Sequence, residues 1–224
     1  MIGIVPAAGH ASRLYSIPKM LLPMPGGALV DKTVQRLQTV CNHVVIGTNF
    51  YLYRLLKERD LPGSFVYMAN TNTMSETVLL ARQYALGQTV AFAMPDTAFD
   101  DDEAFVKLAA ALEDGADVAV GLFRAQPGQH RKGGMCALNG LQVVDVIDKP
   151  PVCAYPWIWG VLAWKPAFWP LLDVEDPHVG YALPRAIRAG LDVRGVVLNG
   201  TYWDCGTPDD YFDCIAAHRV AETA

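Results

Sequence analysis

The sequence has no apolar run approaching the length of a membrane span. Its N-terminus also lacks a charged segment followed by a long hydrophobic one, so neither an anchor nor an export signal is indicated. Positive charge is not in excess: 18 Lys and Arg stand against 23 Asp and Glu, a formal net charge of −5. That balance argues against general nucleic-acid binding, which needs a basic face to neutralise phosphates. The five cysteines, Cys41, Cys136, Cys153, Cys205 and Cys214, are odd in number and form no Cys-x-x-Cys pair, which points to reduced, mostly buried thiols rather than disulfides or zinc. His43, His130, His178 and His218 show no metal-ligand spacing, leaving a zinc hydrolase without support. Neither Gly-x-Gly-x-x-Gly nor Gly-Lys-Ser/Thr occurs, so the Rossmann fingerprint and the P-loop are both excluded. No repeat, low-complexity tract or long linker interrupts the chain. These absences describe a soluble, cytoplasmic protein with no nucleic-acid and no membrane partner.

What is present suffices for one sizeable core: 224 residues, 52% of them hydrophobic, expected as a single domain over 1–224. Apolar strands are predicted at 2–6, 43–48, 64–69, 89–94 and 117–122, with helices at 29–41, 51–59, 75–86 and 102–113 between them. That alternation predicts a Rossmann-like α/β fold, a mostly parallel central sheet with helices on both faces. From 124 onward the rhythm changes. Residues 135–138 and 141–147 flank Asn139-Gly140 as a hairpin, beginning a small β-rich portion, so 1–123 and 124–224 read as two halves. Tyr155, Trp157, Trp159, Trp164, Phe168 and Trp169 crowd the next stretch, with Trp157, Trp159 and Val161 alternating across Gly160 as a strand. Such a cluster serves core packing, a homodimer contact or a platform for a ring-shaped ligand. Residues 182–190 and 209–220 read as helices, the first broken by Pro184. The run Asp100-Asp101-Asp102-Glu103 fits an acidic first helical turn, a metal role being the alternative.

The first strand runs into Pro6-Ala7-Ala8-Gly9, where small side chains let a ligand approach the main chain and successive amides form an anion-binding nest. Arg13 and Lys19 follow, one a planar fork for phosphate oxygens and the other a compact point charge. Two aspartates stand out downstream. Asp96 lies just past the strand 89–94, and ligands of open α/β sheets bind beyond the carboxyl ends of strands. Asp204 precedes a Gly-Thr-Pro turn. If the two converge, they make a hard, oxygen-rich site suited to Mg2+, which takes one or two carboxylates and completes its shell with phosphate and water. Each also has a plainer role open to it, as a turn or helix cap.

Four segments resemble the motifs of nucleotidyltransferases that make nucleotide sugars and related activated metabolites. They are the loop Val5 to Pro23, Met94-Pro95-Asp96, Ile147-Asp148-Lys149-Pro150, and Trp203-Asp204-Cys205-Gly206-Thr207-Pro208. The resemblance implies transfer of a nucleoside monophosphate from a nucleoside triphosphate to a sugar 1-phosphate, with Arg13 and Lys19 as catalytic cations and Asp96 and Asp204 on Mg2+. It further implies Ala7, Ala8 and Gly9 beside the base, Ser75 and Glu76 as base readers, and Lys149 drawing in the acceptor phosphate. Ser75 and Glu76 equally fit a helix start, as cap and first turn. The chain departs from the family pattern at Ala11 and Thr73, where glycines are common, and at Asp148, where Glu is frequent. The short interval from Arg13 to Lys19 resembles the compact uridylyl- and cytidylyltransferase style. A cytidylyltransferase for a non-sugar phosphate or phosphonate, or a silent nucleotide-sugar-binding protein, are the alternatives.

Overall fold

A computed structural model describes residues 1–9 and 17–222, with side chains to residue 218. Strand β1 (Ile2–Ala7) is followed by a small ribbon of β2 (Pro23–Met24) and β3 (Gly27–Ala28), then helix α1 (Leu29–Leu37). The chain continues through β4 (His43–Thr48), α2 (Phe50–Leu56), β5 (Ser64–Met68), α3 (Met74–Ala81) and β6 (Val90–Ala93). After β7 (Thr97–Phe99) come α4 (Ala104–Glu113), β8 (Val118–Arg124), β9 (Gly134–Asn139), β10 (Gln142–Asp148) and β11 (Trp157–Trp164). Helix α5 (Ala182–Arg188), β12 (Val193–Val197), β13 (Tyr202–Asp204) and α6 (Pro208–Glu222) complete it.

Nine strands form one sheet in the order β5-β4-β1-β6-β11-β8-β12-β10-β9. Only β10 and β11 run against the other seven, so the predicted mostly parallel sheet is present. Side chains alternate across it as a strand period of two requires. Val5, Val44, Ile46, Ala91 and Ala93 face α1, α2 and α4, while Ile2, Ile4, Val45, Val90 and Phe92 face α3 and α5. Burying both faces explains why these strands read as continuous apolar runs.

The helices begin where side chains satisfy their first amides. Asp31 accepts from the Ala28 N–H (2.7 Å) at α1, Asn49 from Leu52 N–H (2.9 Å) at α2, and Thr73 Oγ1 from Glu76 N–H (3.0 Å) at α3. Pro184 does not break α5. It is the third helical residue, in the turn whose N–H groups have no intrahelical partner, and the helix runs on to Arg188.

The aromatic stretch divides. Trp164 is fully buried, with Phe92, Phe168 and Trp169 at ring separations of 6.0, 5.4 and 5.5 Å. Each such pair is worth about 0.5–1.5 kcal/mol beyond its area. At Gly160 the register of β11 against β8 shifts, and a Cβ there would stand 2.7 Å from the ring of Tyr202. Tyr202 can therefore stack on Phe123 at 5.5 Å only because residue 160 has no side chain.

The acidic run at 100–103 clamps as well as caps. Asp100 accepts from Thr201 N–H (2.8 Å) and Asp101 from Asn199 N–H (2.8 Å), fixing the link between β12 and β13 against the start of α4.

Candidate active site

The sheet's chain order reverses at β1. From β1 the chain moves outward through β4 and β5, then returns to β6 on the other side of β1. A crevice opens beyond the carboxyl ends of strands at such a point. Here Pro6, Ala7, Ala8 and Gly9 form one wall of a cavity, with Lys19, Met20 and Asp96 at one end and residues 71–74 and Thr77 opposite.

Local hydrogen bonds fix each part. The carbonyls of Ala7 and Ala8 accept from Thr48 Oγ1 (3.1 Å) and Asn49 Nδ2 (3.1 Å), anchoring the end of β1 to the end of β4. Among the described residues, none comes within 4 Å of where a Cβ on Gly9 would lie. Lys19 stands in a short 3-10 turn, its Nζ 3.4 Å from Asp96 Oδ2, with the Lys19 side chain only 12% exposed. The carbonyl of Met94 accepts from Thr97 Oγ1 (3.3 Å), which braces the turn holding Asp96.

The two aspartates come together through a feature absent from the sequence reading, the antiparallel ribbon of β7 and β13 outside the main sheet. Its register places Asp204 opposite Thr97, and Cys205 N–H donates to the carbonyl of Asp96 (3.2 Å). Electrostatics reflect the convergence. Burial pushes the Tyr202 hydroxyl well up, and the charges of Asp204 and Asp96 both add to it. The thiol of Cys205 is also raised, by its hydrogen bond with Cys214, by burial and by the same two carboxylates. Carboxylate oxygens are the donor type a hard cation such as Mg2+ takes, and the ribbon brings the backbones of Asp96 and Asp204 side by side.

Of the residues singled out from sequence, Ala7, Ala8, Gly9, Lys19 and Asp96 share this cavity. Asp204, tied to Asp96 through the ribbon, lines a second cleft with Gln129, Lys132 and Gly133. Arg13 lies outside the described residues, as do His10 and Ala11. Ser75 and Glu76 do not line the cavity. Ser75 is fully buried, and the Glu76 carboxylate accepts from Asn72 N–H (2.7 Å), so the helix cap is Thr73 rather than Ser75.

Lys149 stands apart from the first cavity. It follows β10 with φ +44°, the one non-glycine residue at positive φ among those described, and its N–H donates to the Gly133 carbonyl (3.2 Å). A left-handed backbone at a bulky residue costs energy and recurs where a side chain must be aimed. Its neighbour Asp148 faces a third cleft with Trp159, His178 and Tyr181. His178 Nε2 and Tyr181 OH donate to the two oxygens of Asp148 (3.1 and 3.2 Å). Burial pushes the Asp148 carboxyl up, but the His178 hydrogen bond, the Lys149 charge and the Tyr181 hydroxyl outweigh it and hold the group below its ordinary value.

Sequence reasoning missed Thr71, Asn72 and Thr77 in the first cavity and His178 and Tyr181 in the third. The polar run Thr71-Asn72-Thr73 before an apolar helix was the available signal for the former. His178 had none, being thirty positions from the carboxylate it meets.

Residues 3–170 match the family model described as the MobA-like NTP transferase domain. A search of curated protein sequences found no match. Among solved structures, one assigned as a glucose-1-phosphate thymidylyltransferase from Bacillus anthracis, in complex with a sucrose, superposes with a TM-score of 0.84 at 15% identity, covering 98% of this chain and 96% of that one. The inositol-1-phosphate CTP transferase from T. maritima gives 0.80 at 17% identity, over 97% and 96% of the two chains. A UTP-bound UGPase from Acinetobacter baumannii gives 0.78 at 14% identity, over 97% and 92%. Likeness at this level of identity is a likeness of fold.

Proposed function

The chain belongs to the MobA-like NTP transferase family, and from that premise we propose that it transfers a nucleoside monophosphate from a nucleoside triphosphate to a sugar 1-phosphate. A phosphate oxygen of the acceptor attacks the α-phosphorus in line. A new P–O bond forms there, the α–β bridge breaks, and pyrophosphate leaves with the electron pair. No general base is required, because a phosphate monoester is already anionic near neutral pH. The protein's task is to hold two anions together and stabilise the charge between them.

In this reading Lys19 contacts the α-phosphate, and Arg13 acts on the β- and γ-phosphates. Lys149 draws in the acceptor phosphate, its ammonium half exposed beside Asp148. Asp96 and Asp204 would hold Mg2+, which when bound neutralises phosphate charge. The end of β1 offers backbone to the nucleotide, with only the small side chains of Ala7 and Ala8 beside it. The observation that carries the proposal is the meeting of Lys19 and Asp96 at one end of a cavity whose wall is the Ala7-Ala8-Gly9 turn. Support for the acceptor class comes from the relatives of like fold, whose names carry glucose 1-phosphate and inositol 1-phosphate.

The test is pyrophosphate release with magnesium across ATP, GTP, CTP, UTP and dTTP against several sugar 1-phosphates, phosphocholine and a phosphonate. Release that requires one triphosphate and one sugar 1-phosphate together is the expected result. Release only with phosphocholine or the phosphonate would transfer the reading to a non-sugar acceptor, and silence throughout would refute it.

A further inference from the structure

The first cavity is divided by charge. Lys19 and Asp96 stand at one end, whereas Thr71, Asn72, Thr73, Met74 and Thr77 line the other side; Glu76, which does not line the cavity, is turned to the Asn72 N–H. On the transferase reading above, on which this inference rests, the phosphates belong with the cation and the nucleobase belongs against 71–77.

Three threonine hydroxyls in that wall have a settled proton order. Thr73 Oγ1 donates to the Val174 carbonyl (2.6 Å) while accepting from Glu76 N–H. Thr77 Oγ1 lies 3.2 Å from the Thr73 carbonyl and 2.7 Å from Thr71 Oγ1. A carbonyl can only accept and a hydroxyl has one proton, so both bonds form only if Thr77 donates to Thr73 and Thr71 donates to Thr77. The arrangement is braced by Tyr67 OH, which donates to the Thr77 carbonyl (2.6 Å). All three protons are committed to protein acceptors. Thr71, partly exposed and lining the cavity, has only lone pairs left for a ligand.

We propose that Thr71, oriented by Thr77, selects a nucleotide whose base presents an amino group at the edge position where uracil, thymine and guanine carry a carbonyl oxygen, so that cytosine or adenine is accepted over uracil, thymine and guanine. An amino N–H meets the free lone pairs of Thr71. The carbonyl oxygen that uracil and thymine carry where cytosine has its amino group meets acceptor with acceptor. One mispaired hydrogen bond in such a site weakens binding by roughly 10- to 100-fold.

Equilibrium titration of the whole chain with CTP, ATP, GTP, UTP and dTTP, without acceptor, measures the selection directly. The better of CTP and ATP is expected to bind at least about tenfold tighter than UTP, dTTP and GTP. UTP, dTTP or GTP binding as tightly as the better of CTP and ATP, with transfer intact, overturns this proposal and leaves the transferase reading standing; failure of all five to bind overturns both. Two variants separate recognition from folding. In Thr77→Val the Thr71 proton is released and its hydroxyl can turn to donate, so UTP should gain affinity and the preference should shrink toward parity. In Thr71→Val CTP and ATP alone should weaken. A uniform loss across all five triphosphates in both variants would mean that the threonines only support the wall, and the proposal would fall.

Discussion

Replacing Asp101 by asparagine tests the clamp that leads into the site. Asp101 is 6% exposed, and its carboxylate accepts from Lys107 Nζ (2.9 and 2.6 Å), Glu103 N–H (3.1 Å) and Asn199 N–H (2.8 Å). In Asp101→Asn one oxygen becomes an NH2 group, which must face either the lysine or a backbone amide, donor against donor. Losing one charge-assisted bond and leaving a donor unpaired costs about 2–4 kcal/mol. At about 2–4 °C per kcal/mol for a chain of this size, the melting temperature should fall by about 4–16 °C. Asp102→Asn is the matched control: that aspartate also holds a cation, Arg36 at 2.8 Å, but its side chain is 84% exposed, and such pairs are worth about 1 kcal/mol or less.

The pH dependence has a definite sign. Burial pushes the Asp101 carboxyl up, but the Lys107 hydrogen bond, the Asn199 and Glu103 amides and the Lys107 charge outweigh it and hold the group below its ordinary value. A depressed carboxyl stabilises the fold above its unfolded-state value, near 3.9, and that contribution is lost as pH falls through the lower folded value. Thermal melts followed by circular dichroism between pH 3 and 7 should therefore show a constant gap between wild type and Asp101→Asn at neutral pH that closes in acid. Equal melting of Asp101→Asn and Asp102→Asn at pH 7, or a gap unchanged at pH 3, would refute the reasoning.

Three further outcomes follow from the same geometry. Lys19→Met should lower kcat/KM for nucleotidyl transfer by about 10²–10³ while leaving the melting temperature close to wild type, and near-normal turnover would remove Lys19 from the chemistry. Asp204→Asn should raise the magnesium concentration needed for half-maximal pyrophosphate release, because one of two oxygen donors loses its charge; an unchanged magnesium requirement would exclude it as a ligand. Gly160→Ala places a methyl 2.7 Å from Tyr202 and 2.9 Å from Phe123, so it should destabilise the protein by about 1–3 kcal/mol, measured by denaturant titration, and an unchanged midpoint would show that the stack has room.

The parallel half of the sheet was legible because strands buried on both faces are uniformly apolar and their helices carry a regular apolar face. Short elements without such a face were not. Thr97–Phe99 follows Pro95-Asp96 and reads as loop, and only pairing with Tyr202–Asp204 makes it a strand. Val193–Val197 is interrupted by Gly195, whose Cβ would meet Leu122 and Leu138 at 2.7 and 2.6 Å, so the glycine reflects close packing rather than a turn. In the site, residues on strand ends were legible, since topology alone sends Ala7 to Gly9 and Asp96 to one crevice. Thr71 and Thr77 were not, because their role lies in which way a hydroxyl points, and no spacing encodes that. Ser75 and Glu76 lie off the cavity: the polar run at the start of α3 serves the helix, with Glu76 in its first turn as the helix-start reading has it, and Thr73, two residues earlier than the expected cap, does the capping.

Strand β11 has a mechanical consequence. It comes from the second half of the chain yet lies hydrogen-bonded between β6 and β8 of the first half, pairing along Val90–Ala93 on one side and Val118–Arg124 on the other. The two halves are sewn through a shared strand and have no linker about which to rotate. Closing like a pair of jaws would tear two ladders of backbone hydrogen bonds, so the alignment of the crevice beyond β1 with the clefts beside β10 is built into the sheet, and adjustment falls to loops and side-chain rotations at its rim.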